Sequence, residues 1–564
     1  MPSDLELSRN AALRPLPEIA AEVGLGAHRL EPYGHAVAKV SLDAAADLAD
    51  RPPGRYVVVS AITPTPLGEG KTTTTIGLGQ AFRHIGRRGV IAVRQPSMGP
   101  TLGIKGGAAG GGYSQIVPME TVNLHLTGDL HAVTAAHNLL AAMLDNHLGK
   151  GNASGLDPFS ISWRRVLDLC DRDLRRVVTG LGGHADGVPR ETGFDITAAS
   201  EVMAVLALCT SLPDLRARLG RIVVGTDRDG APVTAEQLKA AGAMAVLLRE
   251  AIKPNLMQTM EHTPAFVHCG PFGNIAHGNS SVVADLIGIR CGDYLVTEAG
   301  FGADMGAERF FNIKCRASGL VPDAAVVVAT VRALKAHSGR YRVVAGRPLP
   351  EEMARENPDD VLAGAVNLRR QLANVRAHGI PPVVAVNAFP GDHDSELRAV
   401  LEVAAEEGAR AAVTHHVAKG GIGAADLATA VEEACTDGTA GFRPLYADDL
   451  PLLDKIDTVA RGMYGADGVD LAPLARRQLE ACERQGFGRL PVCIAKTHLS
   501  LTADPARPGA PTGWRLPVRE VRVSAGAGFV YLICGDMRTM PGLSSSPAAE
   551  RLDIGPDGEI VGLS

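Results

Sequence analysis

Short apolar runs alternate along this chain with segments whose apolar residues recur every three or four positions. The first clear run, residues 56–62, has the continuous hydrophobicity of a strand buried on both faces. A helical pattern follows and ends near Gly86, and a second strand is predicted at residues 89–94. A further helix is predicted at 130–147, and further strands at 221–225, 265–269, 294–297, 324–331, 382–387 and 411–415. This alternation predicts an α/β fold with a mainly parallel sheet.

A Gly-rich turn joins the first predicted strand to its helix. Residues 63–75 read TPTPLGEGKTTTT. Small residues let successive backbone N–H groups face an anion, and a helix N-terminus adds partial positive charge, so this unit predicts a phosphate-binding loop. The strict motif has glycine where this chain has Thr65, so the loop is a variant, and an ordinary turn before a helix is the alternative interpretation.

Within this loop, Lys71 would reach the outer phosphates of a nucleotide and the Thr72 hydroxyl would contact Mg²⁺. The fold prediction is therefore a large domain similar to the P-loop NTPases, with two smaller α/β domains. The predicted nucleotide-binding residues are Thr63, Pro64, Thr65, Pro66, Leu67, Gly68, Glu69, Gly70, Lys71, Thr72 and Thr73.

The length of 564 residues is too great for a single core and favours several domains. We predict a large nucleotide-binding domain at residues 1–357, a second α/β domain at 358–450 and a C-terminal α/β domain at 451–564. The first boundary follows a stretch rich in Pro, Gly and charge at 338–358, and the second follows the prolines of residues 444–451.

Three further loops follow predicted strands, and the carboxyl ends of parallel strands meet at the edge of the sheet where ligands bind. The first contains Arg94, which could stabilise charge on a transferring phosphoryl group, and continues into a Gly-rich segment at residues 103–112. The second, residues 270–281, is dense in small and polar residues. The third contains Glu298 and Asp304, whose carboxylates could hold Mg²⁺. A surface salt bridge for Arg94 and helix capping for the carboxylates are the alternatives.

Two histidines, His125 and His131, flank a polar turn downstream of the phosphate loop. Histidine changes its protonation near neutral pH, so we predict that one of them orients a substrate or handles a proton. A structural role is the alternative interpretation.

Composition argues against several other classes. The net charge is −6 and there is no basic stripe, which disfavours a dedicated nucleic-acid protein. Nine cysteines without a C-x-x-C spacing favour reduced thiols, and Cys209 and Cys269 lie in apolar runs typical of a core. The first 14 residues lack the apolar region of a signal peptide, and no apolar run approaches a membrane span. We therefore expect a cytoplasmic protein that binds neither membrane nor nucleic acid.

Longer motifs resemble those of the formate–tetrahydrofolate ligases and occur in order from about residue 33 to the C-terminus. They are TPTPLGEGKTTTT, RQPSMGPTLGIKGGAAGGGYSQIVPMETVNLHLTGDLHAV, TEAGFGADMGAERFFNIKCR, GPFGNIAHG, VVAVNAFPGD, AKGG, PVCIAKT, DMRTMPGL and PAAERLDI. The resemblance implies that formate, ATP and tetrahydrofolate give 10-formyltetrahydrofolate, ADP and phosphate. It also implies Mg²⁺, activation by a monovalent cation (K⁺ or NH₄⁺) and a homotetramer.

The chemistry implied by this resemblance proceeds through formyl phosphate, because the oxygens of formate are poor leaving groups until one is phosphorylated. Lys71, Thr72 with Mg²⁺, and Arg94 would spread the charge that develops during phosphoryl transfer. His125 or His131 would act nearby. The resemblance places Gln95, Phe389 and Val417 in the folate site.

Two of these folate-site residues depart from the family pattern. Gln95 stands where the family usually has Glu, so an amide replaces a carboxylate. Val417 stands where the family usually has the Trp that stacks on the pterin opposite Phe389, and the loss of such a partner costs roughly 0.5–1.5 kcal/mol. Our first hypothesis is a ligase with altered folate binding. The alternatives are a ligase that uses another acceptor or another small carboxylate, and a non-catalytic ATP-binding paralogue.

Overall fold

The structure is a computed structural model that describes residues 2–103, 109–344, 348–535 and 537–563, apart from the side chain of His184. Residues 104–108 of the predicted Gly-rich loop therefore lie outside the described residues.

The strands, in chain order, are β1 (Leu30–Tyr33), β2 (Val37–Val40), β3 (Arg55–Ala61), β4 (Gly89–Val93), β5 (Gly110–Gly111), β6 (Ser114–Val117), β7 (Arg165–Leu167), β8 (Val177–Thr179), β9 (Arg190–Thr192), β10 (Phe194–Ile196), β11 (Val223–Thr226), β12 (Pro232–Thr234), β13 (Asn255–Thr259), β14 (Pro264–Val267), β15 (Tyr294–Glu298), β16 (Ala324–Ala329), β17 (Pro382–Asn387), β18 (Arg410–Thr414), β19 (Val469–Leu471), β20 (Val492–Ala495), β21 (Leu516–Val518), β22 (Glu520–Ser524), β23 (Phe529–Ile533), β24 (Asp553–Ile554) and β25 (Ile560–Val561).

The α-helices, in chain order, are α1 (Asp4–Arg9), α2 (Leu16–Glu22), α3 (Ala44–Asp47), α4 (Lys71–His84), α5 (Met98–Leu102), α6 (Met119–Asn123), α7 (Asp129–Gly149), α8 (Glu201–Leu208), α9 (Leu212–Arg221), α10 (Ala241–Leu247), α11 (Val282–Gly288), α12 (Cys315–Ser318), α13 (Val331–His337), α14 (Pro358–Ala377), α15 (Asp394–Glu406), α16 (His416–Lys419), α17 (Ala425–Thr436), α18 (Leu452–Val459) and α19 (Pro473–Arg484).

The largest sheet has 12 strands, in the order β1-β2-β13-β14-β4-β15-β3-β16-β17-β18, with β6 paired to β13 and β5 to β6. Every pair from β14 to β18 is parallel. The predicted α/β class with a mainly parallel sheet is therefore confirmed. The strand predicted at 221–225 forms as β11, but it pairs with β12 in a separate sheet.

The continuous apolar run of residues 56–62 is explained by the position of strand β3, which is buried on both faces. Successive side chains of a strand point to opposite faces. Val57 and Val59 accordingly pack in one core cluster with Leu78 of α4, whereas Tyr56 and Val58 pack in the cluster on the other face. Because helices cover both faces, β3 has no solvent-facing side that would require polar alternation.

The sheet edge at the carboxyl ends of the strands carries the loops that were predicted to bind ligands. Strand β3 leads into the phosphate loop, β4 into Arg94, and β15 ends at Glu298. Strand β17 leads toward Phe389 and β18 toward Val417. Strand β16 ends at Ala329, earlier than predicted, because the Thr330 side chain accepts a hydrogen bond from the Ala333 N–H (3.1 Å) and caps α13.

The large sheet continues across the boundary predicted between residues 357 and 358, since β16 pairs with β17. The C-terminal region contains its own sheet, β20-β23-β22, and a core cluster that includes Leu452, Trp514 and Leu532. The division into three domains stays a prediction. Cys209 and Cys269 lie in the main core, as predicted. Within the described parts of the chain, every helix is too short or too polar to cross a membrane.

Candidate active site

The phosphate loop ends in a left-handed residue from which α4 starts. Gly70, the N-cap of α4, has φ 76° and ψ 33°, a conformation that favours glycine. A Cβ atom at Gly70 would lie 2.4 Å from Nδ2 of Asn387, so the position also lacks space for a side chain. The N–H groups of the first turn of α4 lack intrahelical partners and are available to an anion.

Thr65 and Glu69 stabilise the loop from within. The backbone N–H and the hydroxyl of Thr65 both donate to Oε1 of Glu69, at 2.6 and 3.1 Å. Nδ2 of Asn387, at the end of β17, donates to the Glu69 carbonyl at 3.1 Å. Thr65, which replaces the glycine of the strict motif, therefore holds the variant loop in shape through its own hydrogen bonds.

Four predicted residues converge at the start of α4. The Thr72 hydroxyl donates to Oε2 of Glu298 at 2.8 Å, and Nε of Arg94 lies 3.3 Å from Oε1 of the same carboxylate. Nζ of Lys71 lies 3.6 Å from the carboxylate of Glu69. The structure thus brings together one hydroxyl, two cations and a buried carboxylate beside the free N–H groups of a helix N-terminus.

Asp304, predicted as a metal ligand, does not join this group. One of its oxygens lies 2.9 Å from Nζ of Lys496, and the other accepts a hydrogen bond of 2.9 Å from Nε2 of Gln371. Asp304 and Lys496 are both buried, and Gln371 also donates to the Thr63 hydroxyl. Asp304 therefore supports the base of the phosphate loop, and its assignment as a metal ligand stays a prediction.

The two predicted histidines pair with each other. Nδ1 of His125 lies 2.9 Å from Nε2 of His131, and both rings are exposed. The charge of His131 acts on the pKa of Asp168, which burial raises. Asp168 accepts a hydrogen bond of 2.5 Å from the hydroxyl of Ser97, three residues after Arg94. The histidine pair therefore lies beside the Arg94 loop, and its role in proton transfer stays a prediction.

Another histidine, His277, was not singled out from the sequence although it lies in the second polar loop. It is fully buried, and among the described residues neither ring nitrogen has a hydrogen-bond partner. Burial lowers its pKa well below the usual range, and the nearby charges of Lys314, Arg94 and Arg309 add to this effect. His277 is therefore neutral where it approaches Arg94.

The three predicted folate residues differ in their surroundings. Gln95 is buried, and neither polar atom of its side chain finds a hydrogen-bond partner within the described part of the chain. Phe389 is half-buried, and its backbone N–H donates to Asp392 at 2.8 Å. Val417 is half-buried, and its carbonyl accepts a hydrogen bond of 2.9 Å from the N–H of Tyr113.

Asn387 and Glu261 also shape the site and were missed from the sequence. Asn387 ends a predicted strand, and a polar residue at that place is a signal that could have been used. Glu261 accepts a hydrogen bond of 2.7 Å from the N–H of Gly421, in the loop after Val417, and pairs with His84 at 3.0 Å. No local motif marks Glu261, because its partners are distant in sequence.

A Gly-Lys-Thr loop at the carboxyl edge of a parallel sheet, with a buried carboxylate and an arginine beside it, is typical of α/β enzymes that act on nucleoside triphosphates. Comparison with known proteins narrows this class. The family model described as formate–tetrahydrofolate ligase matches residues 2–564. The chain belongs to the formate–tetrahydrofolate ligase family.

Individual members of this family align with the chain over nearly their full lengths. The formate–tetrahydrofolate ligase of Saccharopolyspora erythraea is 72% identical over 564 residues, which is 100% of both chains. Formate–tetrahydrofolate ligase 2 of Rubrobacter xylanophilus is 67% identical over 100% of this chain and 99% of its own. The formate–tetrahydrofolate ligase of Cutibacterium acnes is 62% identical, again with 100% of both chains covered.

Proposed function

We propose that this protein ligates formate to tetrahydrofolate with ATP, giving 10-formyltetrahydrofolate, ADP and phosphate through formyl phosphate. The observation that carries the proposal is the convergence of Thr72, Arg94 and Glu298 at the N-terminus of α4. Such a group can bind a nucleotide and stabilise the negative charge that develops on a transferring phosphoryl group.

In the first step, an oxygen of formate attacks the γ-phosphorus of ATP and the bond from that phosphorus to the oxygen of ADP breaks. Lys71 and Arg94 flank the reacting phosphoryl group and offset its charge. Arg94 is held by Glu298, so its guanidinium keeps its place as the charge moves from ATP to the product phosphate. No proton is transferred in this step.

The oxygen ligands at the start of α4 fit Mg²⁺. The Thr72 hydroxyl and the Glu298 carboxylate are hard donors placed 2.8 Å apart, and Mg²⁺ normally takes few protein ligands together with water and substrate phosphates. When bound, Mg²⁺ would neutralise phosphate charge.

In the second step, N10 of tetrahydrofolate attacks the formyl carbon, and the bond from that carbon to the phosphate oxygen breaks. The N10 proton must leave, and His125 and His131 are the proposed acceptors. Phe389 would stack on the pterin, with Val417 at the place opposite it and Gln95 near the reacting end.

Several further expectations belong to the same proposal. The family resemblance implies activation by K⁺ or NH₄⁺ and assembly as a homotetramer. The sequence pattern and composition predict a nucleotide domain of the P-loop NTPase type, a cytoplasmic location and domains at residues 1–357, 358–450 and 451–564.

The test is turnover with formate labelled by ¹⁸O at both oxygens. We expect ADP release that requires both formate and tetrahydrofolate, and one ¹⁸O atom per released phosphate. Release with a different acid or amine would favour the ligase that uses other substrates, and no release would favour the non-catalytic paralogue. Unlabelled phosphate would contradict the formyl phosphate intermediate.

A further inference from the structure

Arg332 lies between the nucleotide site and the predicted folate site. It is the second residue of α13, which follows β16, and β16 lies in the sheet between β3 and β17. Strand β3 leads into the phosphate loop and β17 into the loop of Phe389. Arg332 is therefore at the carboxyl edge, with one predicted substrate site on each side.

On the folate side, Arg332 contacts the ring of Phe389. Its guanidinium carbon lies 3.6 Å from the ring centroid, which is a close cation–π stack. The backbone of Phe389 is fixed separately, through its hydrogen bond to Asp392. One face of the ring is therefore covered by Arg332, which leaves the opposite face for a pterin.

On the nucleotide side, the charge of Glu69 in the phosphate loop reaches Arg332. Burial lowers the pKa of Arg332, and the charges of Asp392 and Glu69 act in the opposite direction. A contact also joins α13 to this loop, since Nε2 of His337 lies 2.8 Å from the carbonyl oxygen of Thr63.

Arg332 differs from the other two cations of the site in having no acidic partner at contact distance. Lys71 has Glu69 at 3.6 Å and Arg94 has Glu298 at 3.3 Å. For Arg332, the described residues provide neither an ion pair nor a hydrogen bond, and its Nε atom is buried without a partner. A half-buried guanidinium with unused donors is costly unless an anion pairs with it.

We propose that Arg332 couples the two sites by donating to a phosphate oxygen of bound ATP while it stacks on Phe389. The bound nucleotide then restrains the guanidinium, and the guanidinium restrains the ring against which the pterin packs. Arg332 is a ligand of the nucleotide and a positioning residue for the folate. The inference deepens the proposed function and rests on it.

A glutamate carboxylate of the folate is the other anion that would pair with the guanidinium of Arg332. We favour the nucleotide because α13, which carries Arg332, is attached to the base of the phosphate loop through the contact of His337 with the Thr63 carbonyl. Separate ligands distinguish the two sources.

The test measures equilibrium dissociation constants for the full chain with Mg²⁺ present. The ligands are a non-hydrolysable ATP analogue, adenosine, tetrahydrofolate and tetrahydropteroate, which lacks the glutamate. We expect Arg332→Ala to weaken binding of the ATP analogue about 10-fold or more, since a charge-assisted hydrogen bond is lost, and to leave adenosine binding unchanged. The affinities for tetrahydrofolate and tetrahydropteroate should fall by the same factor, about 3-fold or more, because both pterins pack on the ring of Phe389, which Arg332 no longer restrains.

Conservative variants separate these effects from misfolding. Arg332→Lys keeps the charge but loses the planar guanidinium, so it should recover analogue binding more fully than folate binding. Arg332→Gln serves where the alanine variant is unstable and should resemble it in binding. Arg249→Ala is the matched control, because Arg249 is mostly exposed and its Nε lies 3.8 Å from the carboxylate of Glu250, which is itself exposed.

Unchanged binding of the ATP analogue by Arg332→Ala would overturn the proposal. Weakening confined to tetrahydrofolate, with tetrahydropteroate unaffected, would assign the anion to the folate and also overturn it. These binding results do not depend on turnover, so they differ from a failure of the proposed function, which would appear as missing formate-dependent ADP release in the wild-type enzyme.

Discussion

The nucleotide side and the acceptor side of this site are built differently. On the nucleotide side, side chains of the phosphate loop and its neighbours bond to one another, as Thr65 does to Glu69 and Thr72 to Glu298. On the acceptor side, neither polar atom of the Gln95 side chain has a hydrogen-bond partner among the described residues. The first region is organised before any ligand binds, whereas the second contains a buried amide whose partners the described residues do not supply.

This difference matters for catalysis because preorganised groups do not have to rearrange as charge develops. Phosphoryl transfer needs such groups. Here hydrogen bonds link the loop and helix that follow β3 to the last residues of β15 and β17. Binding of the acceptor depends more on how its pterin packs against an aromatic ring. A replacement such as Val417 therefore costs less binding free energy than the loss of a charged group on the nucleotide side. Variants on the two sides should therefore differ in the size of their effects.

The largest effect is expected from Lys71→Ala. The variant removes the cation nearest the start of α4, so kcat/KM should fall by about 10³-fold or more, as for other groups that neutralise a transferring phosphoryl. Steady-state ADP release measures this. Lys150→Ala, at an exposed position after α7, should behave as the wild type. Near-normal turnover of Lys71→Ala would refute the phosphate-loop assignment.

Glu298→Gln should have the next largest effect. The amide keeps the shape of the side chain but loses the charge that holds Arg94 and would face Mg²⁺, so kcat should fall about 10²-fold and half-maximal activity should need more Mg²⁺. A titration of activity against Mg²⁺ measures both changes.

The matched control for this carboxylate is Glu308→Gln. Burial raises the pKa of Glu308 to about 7, so below that pH the native side chain is already mostly neutral. Its contact with Nδ2 of Asn312 (2.8 Å) needs only an oxygen acceptor, which glutamine retains. Equal losses in the two variants at pH 6 would show that Glu298 has no special role.

The organised region is also the one that the sequence predicted best. Lys71, Thr72, Arg94 and Glu298 were expected together because each follows a strand of a parallel sheet. Asp304 satisfied the same rule, but its side chain pairs with Lys496, which is 192 residues away, and no local pattern shows that pairing. Strand order and such distant contacts depend on packing of the whole chain, which short motifs do not encode.

Val417→Trp tests the acceptor side. If Val417 faces the pterin opposite Phe389, the added ring should lower KM for tetrahydrofolate by up to about 10-fold and leave KM for ATP unchanged. The loop has limited space, because a Cβ atom at Gly112 would lie 2.8 Å from Cγ1 of Val417. An unchanged or higher KM for tetrahydrofolate would place the pterin elsewhere or show that Tyr113 blocks the new ring.

Gln95→Met should have the smallest effect. It should increase the stability of the fold and weaken the binding of tetrahydrofolate. Both polar atoms of Gln95 are buried without partners among the described residues, so removing them should raise the free energy of unfolding by about 1 kcal/mol, while tetrahydrofolate binding weakens. Gln258→Met is the control, because Gln258 is equally buried but exchanges hydrogen bonds of 2.8 and 3.1 Å with the backbone of Arg14.

Urea unfolding followed in parallel for the two variants decides the question. The control should be destabilised by about 1–3 kcal/mol, because it leaves the backbone groups of Arg14 unpaired. A similar loss in Gln95→Met would mean that Gln95 is satisfied by ordered water and belongs, like Gln258, to the organised part of the molecule. A gain in stability together with weaker folate binding would show that this amide is kept for the ligand at the expense of the fold.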